Sequence, residues 1–223
     1  MKKTTKIRLT ITSLVIPFFL IMTSVRVMIS PWFAQFEYNR SIFPSDSYGF
    51  TKNERLEYAR LSIVYLLNDS DPTFLSDIKM ADGKPLYNER ELSHMVDVKV
   101  LVQRMLIAWY VIFVLIILTA VLAVITHQLG QYFTSLAAAG YFTIGLIGLI
   151  LAGVVLGFNS LFTGFHLLFF KGDSWLFNYS DSLIRLFPMQ FWQDAFIGMG
   201  LITLILAVAL ILSGRHFSKK FVS

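Results

Sequence analysis

The sequence predicts an all-α membrane protein with four transmembrane helices. A small mixed α/β extracytoplasmic domain is expected between helices 1 and 2, and an aromatic loop between helices 3 and 4. Of the 223 residues, 56% are hydrophobic and only 15% are charged, whereas a soluble domain carries roughly 25% charged residues. All 14 acidic residues lie between Glu37 and Asp194, outside the long apolar runs or at their ends. These observations exclude a soluble protein.

The first apolar run covers residues 9–29, which is about the length that a bilayer core requires. It follows a basic start, as a signal peptide would, but no small-residue cleavage site follows it, so we expect an uncleaved helix. Arg26 lies near its far end. Two interpretations of Arg26 remain open: it reaches the lipid headgroups, or it binds an oxygen atom of a bound lipid.

Residues 31–103 are polar enough to form a small domain outside the membrane. Thr51 and Glu54 have the spacing of a capping box and predict the start of a helix. Asp82 and Gly83 form a favourable turn pair, which indicates a short β-hairpin.

The other three spans follow at shorter intervals. A helix capped by Asn88 or Glu91 is expected to continue without a break into the second span, residues 105–125. The third span, residues 137–157, contains several glycines, which let helices approach closely in lipid. The fourth span covers residues 195–212.

The distribution of basic residues predicts the topology. Both tails are basic and contain no acidic residue, which places both termini in the cytoplasm. The basic residues are Lys2, Lys3, Lys6 and Arg8 at one end and Arg215, Lys219 and Lys220 at the other. The predicted parts are residues 1–30 (tail and helix 1), 31–103 (outer domain), 104–157 (helices 2 and 3), 158–194 (outer aromatic active-site loop) and 195–223 (helix 4 and tail).

The absence of cysteine limits the chemistry that is open to this chain. With no cysteine, disulfides, thiolate metal sites and cysteine nucleophiles are excluded. The motifs G-x-S-x-G and H-E-x-x-H are also absent, and nothing suggests nucleic acid as a partner. General acid–base work by histidine remains, because its pKa lies near neutral pH.

The four histidines divide by side of the membrane. His127 and His216 fall on the cytoplasmic side and are interpreted as interfacial residues, whereas His94 and His166 fall on the outer side. One lies before the second span and the other after the third, so the two can meet if these spans pack as neighbours. With Asp97 or Asp173 they could instead bind a metal, although the spacing is not diagnostic.

Residues 158–194 are rich in aromatic side chains. These can form a membrane-interface belt, a cradle for a lipid chain, or both. Plausible polar neighbours of the site are Tyr179, Ser180, Asp181, Arg185 and Asp194.

Several motifs resemble the family of the lipoprotein intramolecular transacylase, a group of small four-span bacterial membrane proteins. They are F-H-x-x-F-F at residues 165–170, Trp175, D-x-L-I-x-L-F-P at 181–188, F-W-x-D at 191–194 and S-H-M-x-D-V-K at 93–99. The resemblance implies an acyltransferase that moves the sn-2 acyl chain of a diacylglyceryl-cysteine lipoprotein onto its own N-terminal amine. The product would be a lyso-form lipoprotein.

The resemblance also implies a site. The family's two functional histidines map onto His94 and His166, with no metal or other cofactor. We expect His166 to relay the proton to the leaving glycerol oxygen and His94, oriented by Asp97, to stabilise the oxyanion; the reverse assignment stays open. Substrate-binding residues would be Arg26, Phe165, Phe169, Trp175, Tyr179, Asp181, Arg185 and Trp192.

Two other function classes remain open from the residues alone. One is a non-enzymatic membrane assembly or transporter-partner protein, and the other is a metal-dependent membrane hydrolase. For the transacylase we expect a monomer in the cell membrane, with membrane lipid and the lipoprotein N-terminus as partners and the active site on the extracytoplasmic face.

Overall fold

The structure, a computed structural model, describes residues 3–221, except for the side chains of residues 3–6 and 8. Lys2 and the side chains of Lys3, Lys6 and Arg8, on which the topology prediction partly rests, lie outside this description. In the described part, the chain forms eight helices and no strand. They are α1 (Lys3–Met28), α2 (Pro31–Asn39), α3 (Lys52–Leu67), α4 (Thr73–Ser76), α5 (Glu89–Ile125), α6 (Leu129–Phe169), α7 (Ser182–Leu186) and α8 (Met189–Lys220).

Four of these helices are long and apolar enough to cross a membrane, which confirms the predicted four-span architecture. The segments are Leu9–Met28, Glu89–Ile125, Leu129–Phe169 and Met189–Lys220. Helix α5 begins as predicted, because the Asn88 N–H donates to the Glu91 carboxylate at 2.8 Å and the Glu91 N–H donates to the Asn88 side chain at 3.0 Å. It then continues unbroken into the second span.

The chain divides into two compact units. The first contains the parts of α1, α5, α6 and α8 within Met1–Arg26, Leu106–Val155 and Ile197–Ser223. The second is formed by Val27–Met105 and Leu156–Phe196. It therefore contains the small helices together with the first part of α5 and the last part of α6.

Close helix packing characterises the first unit. A Cβ atom added to Gly140 of α6 would lie 2.9 Å from the Ala207 carbonyl oxygen of α8 and 2.6 Å from Ile211 Cγ1. Polar bonds also join its helices: the Thr203 hydroxyl donates to Ser24 Oγ at 2.8 Å. Small residues thus allow α6 and α8 to approach, as expected for helices in lipid.

The second unit has an aromatic core that joins α2, α3 and α7. Tyr38 and Tyr65 are 3% and 1% exposed, and Leu186 is fully buried. The Tyr38 hydroxyl donates to the Leu186 carbonyl oxygen at 2.7 Å. The Arg55 guanidinium donates to the Arg185 carbonyl oxygen at 2.9 and 2.6 Å. These bonds connect residues 130 or more apart in sequence and hold α7 against α2 and α3.

The predicted mixed α/β character of the outer domain is wrong. The Asp82-Gly83 turn forms, with Gly83 at φ +83° and its N–H bonded to the Met80 carbonyl oxygen at 2.9 Å. Only one isolated bridge follows, between Lys79 and Pro85. A lone two-stranded ribbon this short is marginally stable, so the segment stays irregular between helices and the domain is helical.

The sequence predicted an aromatic loop over residues 158–194. In the structure, the first part of this segment is helical. Helix α6 continues to Phe169 and is interrupted only at Gly157, where φ is −178° and ψ is 72°. Residues after this break are helical again, so His166 lies on a helix. The aromatic loop proper is short and runs from the end of α6 to α7.

Candidate active site

His94 of α5 and His166 of α6 lie side by side in the second unit. Their ring centroids are 6.0 Å apart and the rings are inclined by 22°. The two residues are 7% and 8% exposed. The structure therefore brings together the two histidines that were predicted to share a site.

The protonation pattern of His166 follows from one hydrogen bond. Its Nδ1 lies 2.8 Å from the carbonyl oxygen of Phe162, one helical turn earlier. A carbonyl oxygen can only accept a hydrogen bond, so Nδ1 carries the proton. In the neutral ring, Nε2 is then left with its lone pair, which makes it the basic atom.

Aromatic rings surround His166. The ring centroid of Phe162 lies 4.2 Å from that of the imidazole, and Trp175 follows at 4.9 Å. Phe170 and Phe165 lie at 5.5 and 5.7 Å. Because such a setting disfavours charge, it suits a histidine that stays neutral until it receives a proton from a substrate.

His94 packs against aromatic rings, and its Nδ1 atom has no hydrogen-bond partner among the described residues. The edges of Phe170 and Phe177 pack against it, with centroid distances of 5.0 and 5.3 Å. Its Nδ1 is buried. Asp97 is exposed and does not reach this atom, so the structure does not bring it into the predicted orienting contact.

The loop between α6 and α7 forms one wall of the site. Gly172, the third residue of the loop, lies in the left-handed region at φ +70°. A turn follows, closed by a 2.9 Å hydrogen bond from the Leu176 N–H to the Asp173 carbonyl oxygen. Arg90 of α5 donates to the Leu176 carbonyl oxygen at 3.1 Å and so connects this turn to the helix of His94.

The predicted substrate-binding aromatics lie at different distances from the histidines. Phe165 contacts His166 and also packs against Phe169, at 4.8 Å between centroids. Trp192 reaches the site through Phe162, at 6.1 Å. Tyr179 is 82% exposed, and the structure shows no contact between its ring and the histidines. Arg26 is half-buried near the end of α1.

Arg185 and Asp181 serve contacts within the protein. Arg185 Nη2 lies 3.0 Å from a carboxylate oxygen of Asp46, and the two side chains are 10% and 2% exposed. The guanidinium also lies 3.4 Å above the centroid of the Phe50 ring. The Asp181 carboxylate accepts the Asn178 N–H at 2.8 Å. Their predicted role toward substrate therefore competes with a clear structural role.

The pKa of Asp46 reflects this pairing. Burial by itself would raise the pKa of this carboxyl group. Hydrogen bonds from the Arg185 side chain and from the backbone N–H groups of Phe50 and Tyr48, together with the guanidinium charge, outweigh burial and lower the pKa below its ordinary value. Asp46 is thus held as a carboxylate at neutral pH.

Three residues whose rings lie against the histidines were not among the predicted site residues, and neither was Ser174, which precedes Trp175 in the loop. The three are Phe162, Phe170 and Phe177. Phe162 could have been found, because it stands four residues before His166 and helical residues at that spacing share a face. Phe170 belongs to the motif at residues 165–170, whereas Ser174 and Phe177 lie in an irregular loop that carries no periodic signal.

No carboxylate joins the histidine pair to make a three-residue metal cluster. In the part of the chain that the structure describes, no group of three or more His, Cys, Asp or Glu residues is placed to hold a metal ion. The side chains around the pair are aromatic. The arrangement therefore offers two imidazoles for proton transfer and hydrogen bonding in an apolar setting.

Comparisons with known proteins agree with this arrangement. The family model described as lipoprotein intramolecular transacylase Lit matches residues 10–192. A protein of Aquifex aeolicus described as uncharacterized is 28% identical over 208 residues, covering 93% of each chain.

Solved structures show the same fold. The membrane integral lipoprotein intramolecular transacylase Lit from Bacillus cereus has a TM-score of 0.72 at 17% identity, covering 96% of both chains. Its histidine-to-alanine variant has a TM-score of 0.75 at 20% identity, covering 96% of this chain and 94% of that one. Since the family model spans most of the sequence, the chain belongs to the lipoprotein intramolecular transacylase family, whose members are integral membrane enzymes.

Proposed function

We propose that this transacylase uses His94 and His166 to move the sn-2 acyl chain of a diacylglyceryl-cysteine lipoprotein onto the free amine of the same cysteine. The observation that carries this proposal is the buried histidine pair, in which one ring has its basic nitrogen defined by a backbone hydrogen bond. Two of the similar solved structures carry a substitution of a histidine, by alanine and by arginine. These substitutions were made in the Bacillus cereus protein. They support the proposal that histidine has a catalytic role in this chain.

The reaction needs no nucleophile from the protein. The α-amine has a pKa near ~8 and becomes nucleophilic when it loses a proton. The amine nitrogen attacks the ester carbonyl carbon and forms a C–N bond, while Nε2 of His166 takes the amine proton. The C–O bond to the sn-2 glycerol oxygen then breaks, and His166 returns the proton to that oxygen. Counted from the neutral amine, the products are an amide and a free hydroxyl group with no net change in protons. An amine that starts protonated first releases one proton to solvent.

His94 is proposed to stabilise the oxyanion of the tetrahedral intermediate. Its Nδ1 is buried and is not used by a described residue, so an N–H at this position could donate to the developing charge. One well-placed donor typically contributes about 3–4 kcal/mol to such a transition state. Asp97 is not required for this role, because it is exposed on α5.

The aromatic side chains are proposed to position the lipid. Phe165, Phe169, Trp175 and Trp192 present apolar surface on and around the helix of His166. Folding a flexible lipid so that amine and ester meet converts a rare encounter into a favoured one, an effect that can be worth several kcal/mol. Apolar surface at the end of a span suits a lipid substrate that arrives laterally from the outer leaflet.

The proposed orientation has both termini in the cytoplasm and the second unit, with its histidines, outside. The basic residues Arg215, Lys219 and Lys220 near the C-terminal end support it. Because a single chain supplies both histidines, we propose that the monomer is the active form. Mixing inactive His94→Ala and His166→Ala proteins should then restore no activity.

Mass spectrometry of a diacylated lipopeptide tests the reaction. The substrate and product have the same mass, so fragmentation must locate the acyl chain on the glycerol or on the amine. We expect transfer by the wild-type protein in lipid nanodiscs. His166→Ala should reduce its rate by about 10²–10⁴-fold, as for loss of a general base, and His94→Ala should also reduce it strongly.

The matched control is His216→Ala, because His216 is an exposed residue of the first unit and should leave the rate unchanged. A repeat in the presence of a metal chelator separates this reaction from metal-dependent hydrolysis, which would release free fatty acid. Wild-type protein that folds and transfers no chain would refute the proposal. Full activity in His94→Ala would refute the role of the pair.

A further inference from the structure

Three buried polar side-chain atoms in the second unit have no hydrogen-bond partner among the described residues. They are His94 Nδ1, Ser174 Oγ and Trp175 Nε1. Buried polar groups are bonded in the great majority of cases. Three exceptions lie within one unit, and two of them are in side chains that contact or belong to the histidine pair, so these atoms are free to bond a polar ligand.

Ser174 and Trp175 are the two central residues of one turn. The Leu176 N–H closes this turn on the Asp173 carbonyl oxygen, while Lys171, Gly172 and Asp173 face outward and are exposed. Both central side chains nevertheless place their polar atoms inside. The bond from Arg90 to Leu176 holds the turn against α5. The loop is thus built to bring a hydroxyl group and an indole N–H inward together.

A belt tryptophan would be arranged differently. At a membrane interface, Trp is favoured because its N–H can reach water and headgroups while its ring lies in the apolar region. The Trp175 ring instead lies 4.9 Å from the His166 ring, with its N–H enclosed. Its polar end is therefore enclosed by the protein beside the site and does not reach the interface.

The chemistry of the two groups selects the ligand atom. An indole N–H can only donate, and a serine hydroxyl group can donate as well. The ligand must therefore provide a hydrogen-bond acceptor. In the proposed reaction, His166 exchanges a proton with the amine nitrogen and the glycerol oxygen. Both atoms are bonded to the same carbonyl carbon in the intermediate, so a donor on Trp175, whose ring lies against His166, is placed to meet the oxygen of that carbonyl group. Ser174 precedes Trp175 in the same turn and supplies the second donor.

We propose that Ser174 Oγ–H and Trp175 Nε1–H donate hydrogen bonds to the carbonyl oxygen of the migrating acyl chain and, with His94, form its oxyanion site. This inference rests on the proposed function, because it concerns the ester that the histidines act on. The charge on this oxygen is largest in the tetrahedral intermediate, so the two donors stabilise the transition state more than the bound ester.

Kinetics with conservative variants test the proposal. Trp175→Phe keeps an aromatic ring and removes the N–H, and Ser174→Ala removes the hydroxyl group. Each should reduce kcat on the order of 10²-fold with little change in KM, whereas Ser174→Thr should retain activity. The matched control is Trp32→Phe, because Trp32 is 64% exposed on α2. Rates of Trp175→Phe and Ser174→Ala within about threefold of wild type would overturn the proposal.

Trp175→Phe changes the size of the ring as well as removing the N–H. Replacing Trp175 with benzothienylalanine separates these two effects. This residue has the size of tryptophan but carries sulfur where the indole has N–H. Activity as low as that of Trp175→Phe would show that the donor is needed. Activity near wild type would show that only shape matters, and the proposed hydrogen bond would be rejected.

A binding experiment separates this inference from the proposed function. The protein has four tryptophans, so the indole N–H resonance of Trp175 can be assigned by its loss in Trp175→Phe. An N-acetylated ester lipopeptide cannot react, and it should shift this resonance downfield. An N-acetylated dialkyl ether analogue lacks only the ester carbonyl oxygens and should not. Equal shifts with both ligands would overturn the inference even if the wild-type enzyme transfers acyl chains, whereas absence of transfer would refute the function itself.

Discussion

At the scale of single residues, Arg185 shows how a charged side chain near a site can serve the fold. Sequence alone placed it among the substrate-binding residues, but its guanidinium is committed to Asp46 and to the face of Phe50. The Asp46 side chain is 2% exposed. Removing one partner of such a pair leaves a buried charge uncompensated, which is costly.

We therefore expect Asp46→Asn to lower the free energy of unfolding by roughly 3–5 kcal/mol, measured as a fall in Tm in nanodiscs. The matched control is Asp82→Asn. Asp82 pairs with Lys84, but both side chains are largely exposed, and exposed pairs contribute little to stability. Equal Tm values for wild type and Asp46→Asn would show that the pair is not stabilising.

The same pair predicts a pH dependence. Because the pKa of Asp46 is lowered in the folded protein, its stabilisation is fully present above the ordinary carboxyl pKa of about 3.9. It is lost as the pH falls through the lower pKa of the folded state. The Tm difference between wild type and Asp46→Asn should therefore be largest near neutral pH and shrink below about pH 4. A difference that grows on acidification would contradict this account.

The histidines illustrate what could be predicted at this scale. His94 and His166 were recognisable because they are polar residues next to apolar spans on the same predicted side. The tautomer of His166 depends on the Phe162 carbonyl oxygen, and the unpartnered state of Ser174 and Trp175 depends on a folded loop. Neither property has a sequence signal, because both arise from the final position of backbone atoms.

At the scale of helices, the glycines of α6 are not equivalent. Gly140 lies against the Ala207 carbonyl oxygen and Ile211 of α8, whereas a Cβ atom at Gly145 or Gly148 would meet nothing within 4 Å. The sequence predicted that glycines of this span allow close packing. It could not tell which of them do so, because that depends on the rotation of α6 against its neighbour.

Gly140→Ala should therefore lower the stability of the first unit by about 1–3 kcal/mol, as expected for overpacking. For a chain of this length, Tm should fall by about 2–4 °C for each kcal/mol. Gly145→Ala is the matched control in the same helix and should leave Tm unchanged or raise it slightly, because alanine favours helix over glycine. A larger fall in the Gly145 variant would mean that α6 faces α8 differently.

Helix boundaries were predictable where local signals are strong. The capping box of Thr51 and Glu54 forms, with the Thr51 N–H 2.8 Å from the Glu54 carboxylate. The end of the third span was placed at Gly157, where α6 breaks, but the helix resumes and positions His166. At Asp82-Gly83 the predicted turn forms and one antiparallel bridge joins Lys79 to Pro85, but the pairing does not extend into strands, because no neighbouring strand stabilises the ribbon.

At the scale of the whole molecule, the proposed orientation can be measured directly, because the chain contains no cysteine. Tyr179→Cys places a thiol at an 82% exposed position of the second unit. We expect a membrane-impermeant maleimide to label it in intact cells, because this position is proposed to lie outside.

Arg215→Cys supplies the matched position, since Arg215 is an exposed residue near the C-terminal end. It should be labelled only after the membrane is permeabilised. Labelling of the Arg215 variant alone in intact cells would reverse the proposed orientation, and the histidines would then face the cytoplasm.

The sequence by itself determined the membrane character, the four spans and the two histidines of the proposed site. These properties follow from local composition, helix capping and the order of polar and apolar segments. The tertiary structure decided that residues 31–103 form a helical segment without strands, that Arg185 serves the fold, and that Ser174 and Trp175 bury their donors. The physical reason is that each of these depends on contacts between residues far apart in the chain, whose geometry no local pattern encodes.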